Sequence, residues 1–110
     1  LANKEFFEGV ALKKCVTATY NKSQVMLAPH ILYTRHDEVH VDAVTVEREG
    51  QAPREFKLGT FKLSGLKEVV VVERQFEPYD LFDAAADKYE GTTLLMYWSS
   101  DGAMSPRLPR

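Results

Sequence analysis

The chain has 110 residues and a formal net charge of −2; 45% of its residues are hydrophobic and 27% are charged. These values are typical of one globular domain with its own core, and they exclude an overall basic field that would attract nucleic acid. No hydrophobic run approaches the roughly 20 residues that cross a bilayer. The single cysteine excludes a disulfide within the chain and favours a reducing, cytoplasmic compartment.

The first half of the chain predicts one helix followed by strands. Asn3 is a suitable cap for a helix over residues 3–13, because Phe6 and Val10 then share one hydrophobic face. Alternation of hydrophobic and polar residues predicts strands over residues 15–20, 24–35 and 39–48, with turns at 21–23 and 36–38.

Two strands joined by one loop show a change of hydrophobic phase. The change falls at Ala43 within residues 39–48 and at Gly59 within residues 54–63. An odd step moves the hydrophobic side across a strand unless a bulge or bend absorbs the extra residue. Two bent strands joined by a hairpin predict the corner of a small barrel.

The second half predicts one more strand and a short helix. The four consecutive valines of residues 69–72 indicate a strand over 66–74 that is buried on both faces. Asp80 is a suitable cap for a helix that ends near Tyr89. The fold class is therefore mainly β: a small five-stranded bent barrel with an N-terminal helix and a short C-terminal helix, over residues 1–91, followed by a C-terminal extension over 92–110.

Residues 6–78 resemble the WYL domain, a prokaryotic ligand-sensing module with an Sm-like or SH3-like barrel. The resemblance rests on the order of the elements, on Pro29-His30-x-Leu32 in the second strand, and on the segment Phe61-Lys62-Leu63-Ser64-Gly65-Leu66. Where the family carries Trp-Tyr-Leu, this chain has Val39, His40 and Val41. The later segment reads approximately Phe-Arg-Leu-Asp-Arg-Ile in the family. In this chain Lys62 stands at the position of the first arginine and Gly65 at the position of the second.

The resemblance implies a non-enzymatic regulatory domain. Members of the family bind nucleic acid or nucleotide-type ligands in a basic, aromatic-lined groove, and many control transcription behind a helix-turn-helix domain. Carried over to this chain, the groove would use Tyr20, His30, His40 and Lys62. For two of these residues a structural role stays open: His30 as a partly buried side chain bonded to a backbone carbonyl, and Lys62 as a solvated surface charge.

The residues indicate no catalytic constellation, cofactor or metal. His36 and His40 are four apart, but an extended strand separates them by roughly 13 Å, too far for one ion. Cys15 at the start of a strand is typical of a structural cysteine.

The hydrophobic run of residues 94–98 has two interpretations. It either packs back on the barrel as an additional strand, or it forms a homodimer contact through Leu95, Tyr97 and Trp98, since tyrosine and tryptophan are common interface anchors. The second interpretation belongs to an alternative function, a structural or oligomerisation module that has lost its ligand.

Overall fold

A computed structural model describes residues 3–97 of the chain. Its elements are one helix, six strands and two short 3₁₀ helices. They are α1 (Asn3–Leu12), β1 (Lys14–Tyr20), β2 (Ser23–Arg35), β3 (Glu38–Arg48), β4 (Leu58–Lys62), a 3₁₀ helix (Leu63–Gly65), β5 (Lys67–Gln75), a 3₁₀ helix (Asp87–Tyr89) and β6 (Thr93–Met96).

The strands form one antiparallel sheet in the order β4-β3-β2-β1-β5. The 3₁₀ helix Leu63–Gly65 links β4 to β5, the two ends of this order. This arrangement confirms the prediction of a small, mainly β fold with an N-terminal helix. Residues Thr93–Met96, which include the first part of the hydrophobic run, form β6, and β6 pairs with β2 at Ile31, Leu32 and Tyr33.

The inner face of the sheet packs against α1. Phe6 and Val10 of the helix are fully buried among side chains from β1 to β4, including Val16, Leu27 and Phe61. Gly9 permits this approach, since a Cβ there would lie 2.6 Å from Cγ2 of Val16.

The outer face is covered by residues 76–97, which cross it after β5. Aromatic side chains of this segment pack against side chains of β2 that point away from the helix, such as Ile31 and Tyr33. As a result β2 and β3 are buried on both faces over much of their length.

Two-sided burial accounts for the phase changes that predicted a bulge or bend at Ala43 and Gly59, and the pairing of β3 with β4 has no bulge at either residue. β3 and β4 pair without interruption through the match of Ala43 with Gly59. Leu58 packs on the outer face and Phe61 on the inner face, so both parities are hydrophobic. The register between β2 and β3 shifts at two other places. One is His30, because Pro29 faces Ala43 and Ile31 already faces Asp42, and the other is Val46, because Met26 faces Glu47 and Leu27 already faces Thr45.

Three other predictions were wrong in part. Residues 54–57 lie outside β4. Within residues 3–97, β5 pairs with β1 alone. Val70 is 55% exposed and the other three valines are partly buried, so the four valines are not buried on both faces. The predicted helix over 80–89 is replaced by turns and a 3₁₀ helix: Phe82 and Ala84, two residues apart, are both buried, which an α-helical face does not allow.

Within residues 3–97, no helix has the length and hydrophobicity needed to cross a membrane.

Candidate functional site

A carboxylate lies buried beneath the segment that covers the outer face. Asp42 is only 1% exposed. Its neighbours Val41 and Ala43 point into the barrel core, so the alternation of the strand turns Asp42 to the outer face. A buried charge is costly unless it is paired and hydrogen-bonded, and the surroundings of Asp42 meet both conditions.

Three hydroxyl groups and one ammonium group bind the two oxygens of this carboxylate. Tyr33 and Thr60 each donate a hydrogen bond of 2.7 Å to Oδ1. Tyr89 donates one of 2.5 Å to Oδ2, and Nζ of Lys88 lies 3.0 Å from the same oxygen. We call these five residues (Tyr33, Asp42, Thr60, Lys88 and Tyr89) the Asp42 cluster.

The sheet and the covering segment both contribute to the cluster. Thr60 is the direct partner of Asp42 across β3 and β4. Tyr33 is two residues beyond Ile31, the partner of Asp42 on β2, so it reaches the carboxylate diagonally. Lys88 and Tyr89 are consecutive residues of the second 3₁₀ helix, and both reach Oδ2.

The hydrogen bonds decide the ionisation of the cluster. Burial alone would raise the pKa of Asp42, but the bonds from Tyr89, Tyr33, Thr60 and Lys88 together lower it below its usual value. Burial, reinforced by the carboxylate, raises the pKa of both tyrosines. Burial opposes the charge of Lys88, but its bond to Asp42 raises its pKa overall. The cluster therefore holds an ionised carboxylate, two neutral phenols and a charged lysine.

Lys88 connects the buried cluster with the surface. Its side chain is 42% exposed although Nζ bonds to Asp42. The ammonium also lies 5.3 Å from the ring centre of Tyr33 and 5.4 Å from that of Tyr89, distances at which a cation is attracted to an aromatic face. Its position is thus fixed by several contacts while part of it remains accessible.

An open depression of about 660 Å³ begins at this lysine. Its lining comes from the end of β2, the following turn and the covering segment. The lining residues are Tyr33, Thr34, Arg35, His36, Asp37, Lys88 and Thr92, and we call it the Lys88 depression.

Backbone geometry fixes both walls of the depression. His36 and Asp37 have φ of 54° and 63° and form the two-residue turn between β2 and β3, a geometry typical of tight hairpins. Across the depression, the backbone N–H of Thr34 donates to the carbonyl of Thr92 at 3.0 Å. This bond anchors the covering segment to the end of β2.

Two of the residues predicted from the sequence lie beside this site. His40 and Lys62 face each other across β3 and β4, and Tyr33 faces His40 from the other side. The ring of His40 stacks on that of Tyr33 at 5.8 Å. Lys62 is exposed and pairs with Glu38 at 3.4 Å. The row Lys62–His40–Tyr33 therefore leads from the sheet edge to the depression.

His30 lies in the interior, at the register shift of β2. It is fully buried, Nδ1 donates to the carbonyl oxygen of Ala28 at 2.8 Å, and Nε2 accepts the N–H of Tyr79 at 3.0 Å. Burial lowers its pKa, which favours the neutral ring. Both nitrogens are satisfied within the chain, as in the structural alternative considered for this residue.

Tyr20 lies on the opposite side of the sheet from His40 and Lys62. Its ring packs edge-on against Phe61 at 5.1 Å, next to the barrel core. The structure therefore brings together two of the four predicted groove residues, His40 and Lys62, and separates them from Tyr20 and His30.

The residues expected at a homodimer contact take part in packing within the chain. Leu95 packs against the barrel core, and Tyr97 is 1% exposed in the outer aromatic cluster. Trp98 lies outside the described residues. Leu94 on β6 is 47% exposed.

The sequence reasoning missed the Asp42 cluster. A signal was present, because Asp42 stands within Val41-Asp42-Ala43-Val44, where a charge inside a hydrophobic strand requires a buried partner. Lys88 carried no comparable signal, since a charged residue near the end of a predicted helix is expected to be solvated.

Within residues 3–97, no three His, Cys, Asp or Glu side chains are grouped closely enough to hold a metal ion. Comparisons of the chain with protein-family models, with curated proteins and with solved structures found no match.

Proposed function

We propose that this chain is a non-enzymatic, WYL-like ligand-binding domain of a prokaryotic regulator, and that it binds a nucleic-acid or nucleotide-type ligand in the Lys88 depression. The observation that carries the proposal is the fixed ammonium of Lys88. Buried Asp42 holds it at 3.0 Å, while the side chain of Lys88 is 42% exposed and lines the depression.

Such a lysine suits binding better than it suits stability. A buried ion pair contributes little net stability, because the cost of removing charges from water offsets their attraction. A cation held in place by a second layer of hydrogen bonds loses little conformational entropy when a ligand arrives. The Asp42 cluster supplies that second layer.

Other cations near Lys88 support an anionic ligand. Arg35 lines the depression and is exposed, and the salt bridges of the described residues do not include it. Lys62, which the resemblance to the WYL family assigns to the groove, stands at the far end of the row through His40. An arginine without a carboxylate partner is available for bidentate phosphate contacts.

Fluorescence anisotropy at low salt tests this proposal. The probe is a short single-stranded oligonucleotide with a 5′-phosphate and a 3′-label. We expect saturable binding that weakens as salt rises, since phosphate contacts release counterions. Arg35→Gln should reduce the affinity, whereas the matched change Arg54→Gln, at an exposed arginine outside the depression, should not. Absence of binding, or equal effects of the two changes, would contradict the proposal.

A second candidate is a homodimer formed through β6. In the described part of the chain β6 pairs on one side only, with β2, and exposes Leu94. An edge strand of this kind is suited to strand addition between two copies. Sedimentation of the chain and of Leu94→Lys tests it: a monomer in both cases removes this candidate.

A further inference from the structure

We infer that the Lys88 depression recognises a terminal phosphate group, a phosphomonoester, and does not read the base of a nucleotide. This inference rests on the proposed function and narrows it. The argument uses the aromatic rings, the cations and the carboxylates at the depression in turn.

The aromatic rings near the depression are not available to a base. Tyr33 is 1% exposed and Tyr89 is 2% exposed. Tyr33 is also stacked against His40, and the ammonium of Lys88 lies over both tyrosines. Non-specific binding of single strands depends on open aromatic faces on which successive bases stack. Tyr20, which is partly exposed, packs on the opposite side of the sheet.

The groups that do face the depression are suited to one compact anion. Lys88 provides a fixed positive charge, and Arg35 provides a planar guanidinium with several donors. Asp42 partly offsets the charge of Lys88, but Lys88 and Arg35 can both donate charge-assisted hydrogen bonds, which the double negative charge of a phosphomonoester strengthens more than the single charge of a phosphodiester.

Carboxylates limit how far a run of phosphates could extend. Asp37 lines the same depression, and Glu38 follows it, already paired with Lys62 at 3.4 Å. A strand that continued from Arg35 over this turn would bring its next phosphate towards Asp37 and Glu38, which like-charge repulsion opposes. The depression therefore favours the end of a strand or a mononucleotide over the interior of a strand.

Isothermal titration of the full chain with five probes tests the inference. Three probes carry a phosphomonoester on different groups: adenosine 5′-monophosphate, cytidine 5′-monophosphate and ribose 5-phosphate. The other two, adenosine and an oligonucleotide without a terminal phosphate, lack it. We expect the three phosphates to bind within about threefold of one another, and the other two to bind at least about tenfold more weakly, the loss of one charge-assisted contact.

The variants and outcomes separate this inference from the proposed function. Arg35→Gln should weaken all three phosphates about tenfold, and Arg54→Gln should leave them unchanged. If the oligonucleotide without a terminal phosphate, or adenosine, binds as tightly as the three phosphates, the inference is overturned and the proposed function stands. If no probe binds, or if Arg35→Gln binds every phosphate like the wild type, both are overturned.

Discussion

Replacing Asp42 with alanine should destabilise the fold more than any other removal of a carboxylate from residues 3–97. Asp42→Ala leaves the hydroxyl groups of Tyr33 and Tyr89 buried without their acceptor, and each such loss costs about 1–3 kcal/mol. Thr60 and Lys88 are partly exposed and regain water, so they add at most about 1 kcal/mol each. We therefore expect the free energy of unfolding to fall by about 3–5 kcal/mol, a large part of the roughly 5–15 kcal/mol that is typical of a domain.

Urea unfolding followed by circular dichroism measures this loss. With a slope of about 2 kcal/mol per molar urea, the midpoint should fall by about 1.5–2.5 M. Glu73→Ala is the control, because that side chain is 95% exposed, and its effect should stay within about 0.5 kcal/mol. A loss below about 1 kcal/mol for Asp42→Ala would refute the account of Asp42 as the shared acceptor of a buried network.

Two further predictions concern His30 and Gly9. Burial lowers the pKa of His30, so below about pH 6.5 the unfolded chain takes up a proton that the folded chain does not, and stability falls as the pH drops. The difference between the urea midpoints at pH 7.5 and pH 5.0 should therefore be smaller in His30→Gln than in the wild type. The control His36→Gln, at an exposed turn, should keep the wild-type difference. Equal pH dependence in all three proteins would contradict this assignment. Gly9→Ala should lower the free energy of unfolding by about 1–3 kcal/mol, because its methyl group is forced against Val16. The control Gly65→Ala, whose added methyl group meets nothing within 4 Å, should have a melting temperature within about 3 °C of the wild type. Similar melting temperatures for the two variants would contradict this prediction and show that α1 has room to move.

The sequence was sufficient to place β1, β2 and β3 to within one residue, because their evidence is local. Residues 15–20 alternate with period two and are bounded by a turn at Asn21 and Lys22, and both turn residues adopt positive φ as hairpin geometry requires. The helix was equally readable, since Phe6 and Val10 share a face four residues apart.

What the sequence could not provide was which faces are covered. The change of phase at Gly59 looks the same whether a strand bends or has both sides buried. Only the position of residues 76–97 over the outer face distinguishes these cases, and it depends on contacts far apart in the chain. For the same reason Asp42 could not be paired with Lys88, which is 46 residues away along the chain but 3.0 Å away in space.

The groove residues expected from the family resemblance show the same limit. His40 and Lys62 are cross-strand neighbours because the β3–β4 hairpin sets their register. His30 is internal because the covering segment brings Tyr79 to its Nε2. The resemblance assigned residue types to a groove, whereas the segment that follows β5 decides which of them a ligand can reach.

The most direct test of the proposed site is a two-dimensional ¹H–¹⁵N NMR titration of the chain with adenosine 5′-monophosphate at low salt. We predict that the amide signals that move lie in residues 33–37 and 88–92, the two walls of the Lys88 depression. Movement confined to another surface, such as the one lined by Arg48 and Lys57, or no movement at all, would contradict the claim that Lys88 and Arg35 form a binding site.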